Sequence, residues 1–145
     1  MLREETIHFT LSIIAGVMVG WLTGNYWAVP VALVSGFFID TDHLVDYVLY
    51  KKFRGLNLKE FFGAKYFDAS GKVIVPLHGY EYGIILIVIG SFIPNLDWFY
   101  WSLGVSTLLH LIYDVLSNHP KWQTYSIIFR IYHNFDHRVF DFKKG

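Results

Sequence analysis

The stretch TIHFTLSIIAGVMVGWLTGNYWAVPVALVSGFFI (residues 6–39) contains no Asp, Glu, Lys or Arg. At 1.5 Å per residue, it is longer than a single helix that crosses a hydrocarbon layer of ~30 Å. Gly24-Asn25 supplies a turn in its middle, and Pro30 suits the first turn of a second helix, where its missing N–H has no cost. The stretch therefore predicts a helical hairpin, with helices at about 6–23 and 28–50.

Two further charge-free runs, at 82–96 and 98–113, flank Asp97. Pro94-Asn95 marks the break between them, because a proline ends one helix and the polar residues after it can start the next. These runs predict helices at about 78–93 and 95–118. The rest of the chain predicts a C-terminal helix at about 121–138. We therefore expect an all-α fold, an integral membrane four-helix bundle in one domain (1–145), with a cytoplasmic interfacial loop that is amphipathic at 58–67.

Composition and charge placement favour lipid as the solvent of this bundle. Of the 145 residues, 54% are hydrophobic and 17% are charged, and the mean hydropathy is +0.37; about 25% of the residues of an average soluble domain are charged. In a four-span arrangement, all twelve Lys and Arg residues fall on one side. The positive-inside rule then predicts a multi-pass protein of the inner (plasma) membrane with both termini in the cytoplasm.

Other classes fit these features less well. A buried soluble bundle would show the same apolar runs, but it gives no reason for the cations to collect on one side. A cleaved signal peptide conflicts with Glu4 and Glu5 and with the lack of a small-x-small cleavage site. The zero net charge gives no reason to expect nucleic acid as a partner. Because the chain has no cysteine, disulfides and thiolate metal sites are excluded.

Histidines and carboxylates that are far apart in sequence fall at the cytoplasmic ends of the predicted helices. A carboxylate near the inner edge of the hydrocarbon is costly without a partner, and a cation is the obvious partner. His110 and Asp114 are four residues apart, so they project from one helix face, and His133 and His137 have the same spacing. The candidate metal ligands are His8, Asp40, Asp42, His43, His78, His110, Asp114, His133 and His137, with Asp46, Glu81 and His119 as further candidates.

This set is larger than the four to six positions around a single ion. We therefore expect two or three divalent metal ions. Mixed imidazole and carboxylate ligands suit zinc first, with manganese or iron as alternatives.

Several motifs resemble a known family. A histidine near the N-terminus precedes the segments GFFIDTDH (36–43), LHGYE (77–81) and HLIYD (110–114). Together they resemble bacterial and archaeal inner-membrane metal-dependent hydrolases, one enterobacterial branch of which is LexA-regulated. The resemblance implies a hydrolase.

A more distant similarity concerns the order of the later histidines. In the zinc-dependent phospholipase C and single-strand nuclease superfamily, a His-x-x-x-Asp pair is followed by a His and then by a His-x-x-x-Glu pair. Here His110-x-x-x-Asp114, His119 and His133-x-x-x-His137 follow that order, with His137 in place of the glutamate. This similarity implies an all-helical enzyme with a three-zinc site.

The expected function is hydrolysis of a phosphoester by metal-activated water, with Asp40 or Asp42 as the bridging carboxylate that orients the water. A site at the inner membrane surface suits an amphiphile, so a membrane phospholipid or a polyprenyl-phosphate-like lipid is the expected substrate. A divalent metal-binding or transport protein is the main alternative, although a transport site should lie near the bilayer midplane. A haem held by His8 and His110 would leave the aspartates unexplained. The oligomeric state stays open.

Overall fold

A computed structural model describes residues 2–63, 66–118 and 120–140, with side chains described from residue 4 onward. This part of the chain confirms the all-helical class: it contains no strand, only an isolated bridge between Lys72 and Asp136. The α-helices are α1 (Leu2–Thr23), α2 (Ala28–Phe38), α3 (His43–Tyr50), α4 (Leu58–Phe62), α5 (Tyr66–Ser70), α6 (Tyr80–Phe92), α7 (Asp97–Asn118) and α8 (Ile127–Tyr132). Short 3₁₀ helices occur at Ile39–Asp42, Trp122–Tyr125 and His137–Val139.

Three helical segments are long and apolar enough to cross a membrane. They are Glu4–Thr23, Ala28–Tyr50 and Asp97–Asn118. The fourth predicted span, α6, is apolar but has only 13 residues, which corresponds to ~20 Å of helix. Three helices thus meet the length for a span, while a fourth crossing stays a prediction.

The bundle carries apolar side chains outside and small or hydroxyl side chains inside. Bulky residues such as Ile14 and Ile84 are more than half exposed, whereas Ala15, Ala32 and Ser106 are buried. Small residues at helix contacts let the backbones approach closely, as is typical of helices that pack in lipid. The distribution of side chains therefore agrees with an apolar surrounding for the bundle.

The second predicted helix is not one continuous α-helix. Between α2 and α3, the segment Ile39–Asp42 adopts a 3₁₀ turn. A 3₁₀ helix has three residues per turn, so side chains three positions apart line up. Asp40 and His43 have this spacing, and Nε2 of His43 lies 3.5 Å from Oδ1 of Asp40.

One other expectation, about the C-terminal segment, is wrong. The continuous helix predicted at 121–138 is replaced by a 3₁₀ turn, the short α8 and a second 3₁₀ turn. It breaks after Tyr132, where Asn134 and Phe135 have positive φ angles of 54° and 58°. The segment expected to be an amphipathic loop at 58–67 contains the short helix α4 and the start of α5.

Candidate metal centre

Four side chains from three parts of the fold bring their ligand atoms together. They are Asp40, His78, His110 and Asp114, and one donor atom of each lies within 4.8 Å of the others. Asp40 comes from the 3₁₀ turn after α2, and His110 and Asp114 come from one face of α7. His78 comes from the segment 71–79 between α5 and α6, which we call the arm. His78, His110 and Asp114 are buried, and Asp40 is half-buried.

The distances between these donors match the edges of a metal coordination polyhedron. Oδ1 of Asp40 lies 3.1 Å from Nε2 of His78 and 3.4 Å from Nε2 of His110. Oδ2 of Asp114 lies 3.3 Å from Nε2 of His110 and 3.7 Å from Nε2 of His78. With ligand bonds of ~2.0–2.1 Å, the corners of a tetrahedron are ~3.3–3.4 Å apart. Four of the six distances between the donors are therefore near this value, and all six are within 4.8 Å, so the group could hold a metal ion.

Hydrogen bonds on the far side of two imidazole rings fix which nitrogen faces the cluster. Nδ1 of His110 donates to the carbonyl oxygen of Gly36 at 2.7 Å, and Nδ1 of His78 donates to Asp42 at 3.1 Å. Each ring thereby presents Nε2 to the centre, an arrangement typical of metal-binding histidines. Among the described residues, no group forms a hydrogen bond with the buried Nε2 of His110.

Two more histidines adjoin the four donors. Nε2 of His8 lies 3.3 Å from Oδ1 of Asp114, and its ring stacks on His110 with the ring centroids 3.7 Å apart. Nε2 of His43 lies 3.5 Å from the same Oδ1 of Asp40, and His43, Asp42 and His78 form a second group of three possible ligands. Both Asp114 and Asp40 can therefore be shared with neighbouring ligands.

Asp42 and Asp46 hold the arm that carries His78. Asp42 is 3% exposed, and it accepts from the backbone N–H of Leu77 at 2.7 Å as well as from His78. Asp46 accepts from the N–H groups of Ile74 and Val75 at 2.6 and 2.7 Å. Its carboxylate is thus engaged with the backbone and lies outside both groups of possible ligands.

Arg130 holds the same arm through its carbonyl oxygens. This side chain of α8 is fully buried, and Nη1 donates to Ile74 at 2.5 Å and to Val75 at 2.9 Å. Nη2 donates to the carbonyl of His78 itself at 2.5 Å. Arg130 was not among the predicted site residues, because it belongs to no motif and a single arginine is normally exposed to solvent. No signal in the sequence distinguishes it.

Two carboxylates, those of Asp40 and Asp42, contact the imidazole of His78 and change its pKa. Burial by itself would lower the pKa of this imidazole, but hydrogen bonds with Asp40 and Asp42 raise it to about 9. At neutral pH, the metal-free ring is therefore protonated. A cation that binds Nε2 must displace that proton.

A cavity of about 910 Å³ opens onto the donor cluster. Its walls include His8, Asp40, His78 and Asp114, together with many aromatic and aliphatic side chains. Among the described residues, no Lys or Arg lines it. The donors therefore face a largely apolar chamber in which bound ions would be the main positive charge.

The remaining predicted ligands lie elsewhere. His133 packs against Phe129 and Tyr132 with ring centroids 4.3 and 5.2 Å apart, and it joins neither donor group. His137 reaches the cavity wall, where Nε2 lies 3.4 Å from Oδ1 of Asp68. The predicted common helix face of this histidine pair is wrong, because α8 ends at Tyr132, before both residues.

Glu81 has a structural environment, and His119 lies outside the described residues. The carboxylate of Glu81 accepts from the hydroxyl of Ser126 and from the N–H groups of Ile127 and Ile128 at 3.0 and 3.3 Å. It therefore caps the first turn of α8, where a negative charge is favourable.

The chain matches no protein-family model, no curated protein and no solved structure. The geometry of the donor cluster and its cavity is therefore the basis for assigning a function.

Proposed function

We propose that this protein is a membrane-embedded, metal-dependent hydrolase that acts on a phosphoester of an amphiphilic lipid. The observation that carries the proposal is the convergence of four buried or half-buried donors, at coordination distances, on the wall of a large cavity. We further propose that the chain crosses the inner membrane four times with both termini in the cytoplasm. The sequence motifs support membership of the membrane-bound metal-dependent hydrolases.

The position of the donors supports an enzyme over a transporter. His8 lies near the start of α1 and Asp114 near the end of α7, so both are at one end of the bundle. A transport site is expected near the midplane, with polar groups leading to the far side. Further along the bundle, the hydroxyls of Ser12 and Ser106 donate to the backbone carbonyls of His8 and Ala32.

The residues divide into distinct roles. Asp40, His78, His110 and Asp114 would hold the first ion, and Oδ1 of Asp114 with His8 offers a place for a second. When bound, such ions lower the pKa of a water ligand and stabilise negative charge on a phosphoryl group. Asp42 fixes the orientation of His78 and is too enclosed to meet substrate.

His43 suits the transfer of a proton. Its side chain is 32% exposed, it lines the cavity, and Nε2 lies beside Asp40. An imidazole that reaches both a water molecule and a leaving group can accept a proton from the first and donate it to the second. Asp40 orients this ring through Oδ1, the atom that also faces the metal position.

Metal analysis of the detergent-purified protein tests the proposal. Wild type, Asp114→Asn and the control Asp97→Asn would be compared for bound zinc and for hydrolysis of p-nitrophenyl phosphate and bis(p-nitrophenyl) phosphate. We expect Asp114→Asn to lose both metal and hydrolysis. Asp97→Asn should keep both, because Asp97 begins α7 at its opposite end.

Two results would contradict the proposal. Metal retained at the wild-type level by Asp114→Asn would remove this carboxylate from the site. Uptake of zinc into liposomes by a wild type that hydrolyses neither ester would favour a transporter.

A further inference from the structure

We propose that the cavity above the donor cluster binds the hydrocarbon chain of the substrate, so that protein and not bilayer surrounds the chain next to the scissile bond. This inference rests on the proposed function. The substrate would be a lipid whose hydrocarbon chain inserts into the protein next to its phosphoryl head group.

The size of the cavity exceeds what a phosphoryl group requires. At ~30 Å³ per water molecule, 910 Å³ corresponds to about 30 waters. This volume is near the upper end of the ~300–1,000 Å³ range of small-molecule sites. A head group at the donors would leave most of this space to another part of the substrate.

The chemistry of the walls favours a hydrocarbon in that space. Away from the donors, most of the lining is apolar and includes Phe37, Phe38, Leu44, Phe67 and Val75. The carboxylates of Glu4, Glu5 and Asp68 also line the cavity. Water gains little from such walls, whereas each methylene moved into them from water contributes roughly a fourfold gain in affinity. A chain that comes from the bilayer enters at little cost, since lipid is as apolar as these side chains.

Packed aromatic residues form one wall of this cavity. Tyr66 of α5 is 3% exposed, and its ring lies 5.3 Å from Tyr47 and stacks on Phe61 at 6.1 Å. The hydroxyl of Tyr47 donates to Glu60 at 3.0 Å, and Lys51 contacts the same carboxylate at 2.8 Å. The segment expected to lie on the membrane surface therefore packs on α3 and lines the cavity.

Neighbouring positions of α3 give a matched test. Leu44 lines the cavity and Val45 does not, although each is 41% exposed. In nanodiscs, the cobalt-loaded wild type, Leu44→Trp and Val45→Trp would be titrated with methylphosphonate and dodecylphosphonate, with the cobalt spectrum as the readout. Partition into the bilayer is the same for all three proteins, so it cancels in the ratios.

We expect Leu44→Trp to weaken dodecylphosphonate binding at least tenfold and to leave methylphosphonate binding unchanged. Val45→Trp should bind both as wild type does. Unchanged dodecylphosphonate binding in Leu44→Trp would overturn the inference, and so would an equal loss for both phosphonates, which would mean that Leu44 acts on the metal centre.

Photo-crosslinking locates the chain independently of any activity. A dodecylphosphonate with a terminal diazirine should label residues 56–62 and 66–75 if the chain is in the cavity. Labelling of Val34 or Ile84 on the outer surface would overturn the inference alone. If the cavity is labelled but the protein hydrolyses no phosphoester, the proposed function alone is overturned. If the wild type binds neither phosphonate, the proposed function and the chain-binding inference are both overturned.

Discussion

Replacement of Arg130 by methionine tests whether the C-terminal segment supports the metal centre through His78. The substitution keeps an unbranched side chain but removes three hydrogen bonds to the carbonyls of Ile74, Val75 and His78. A hydrogen bond from a charged donor contributes roughly 1.5–3 kcal/mol, and the cost of burying the guanidinium offsets part of that sum. We expect the free energy of unfolding to fall by about 2–4 kcal/mol.

The effect on metal binding follows from the loosened arm. Removal of a group that orients a ligand typically lowers metal affinity by roughly 10–100-fold. This range equals about 1.4–2.8 kcal/mol of binding free energy. Zinc affinity would be measured by competition with a chromogenic chelator in detergent, with Arg54→Met as the control because Arg54 is exposed. Arg130→Lys should recover part of the loss, since an ammonium group can reach fewer of the three carbonyls.

A double-mutant cycle identifies the path of the effect. If Arg130 acts through His78, then Arg130→Met should have no further effect on zinc affinity in a His78→Ala background. It should keep its full effect in a His110→Ala background, because that ligand is held by Gly36 instead. A folded Arg130→Met protein with wild-type zinc affinity, or equal effects in both backgrounds, would refute the reasoning.

Three further predictions concern single positions. His133→Asn should retain full zinc content by metal analysis, because this ring packs on Phe129 away from the donors; loss of one ion would restore it as a ligand. Gly36→Ala should lower the free energy of unfolding by roughly 1–3 kcal/mol, since a Cβ there would collide with the hydroxyls of Ser106 and Ser12. Thermal unfolding tests this, and an unchanged melting temperature would contradict the close packing. Zinc affinity should rise with pH up to about 9, because His78 carries a proton that the ion displaces. Calorimetry in buffers of different ionisation enthalpy would detect the release of that proton. An affinity that does not depend on pH would contradict the prediction.

The helices of the bundle could be predicted because their signals are local. Absence of charge, a Gly-Asn turn and a proline break define α1, α6 and α7 within a few residues of their observed ends, together with the start of α2. The 3₁₀ turn at Ile39–Asp42 was not predicted. Its sequence fits an α-helix equally well, and tertiary contacts of Asp40 and Asp42 with His78 accompany the tighter turn.

The site could be predicted in part for a related reason. His110 and Asp114 share a helix face, so their pairing follows from spacing alone. His133 and His137 have the same spacing of four positions, but this spacing places two side chains on one face only within a continuous helix. The role of Arg130 depends on carbonyl groups 52–56 residues away in the chain. Contacts of this kind have no periodic signature, since they arise only once the arm and α8 have packed together.

The cluster contains buried nitrogen atoms that lack a well-aligned hydrogen bond. Buried polar atoms are normally hydrogen-bonded, and the core hydroxyls of Ser12 and Ser106 obey this rule. Among the described residues, Nε2 of His110 and Nδ1 of His8 do not, although both side chains are buried. Nδ1 of His110 already donates to Gly36, so its Nε2 faces Asp40 and Asp114 at 3.4 and 3.3 Å. A proton on Nε2 would pair with these two carboxylates, and a divalent cation that displaced this proton would bind all three groups at once.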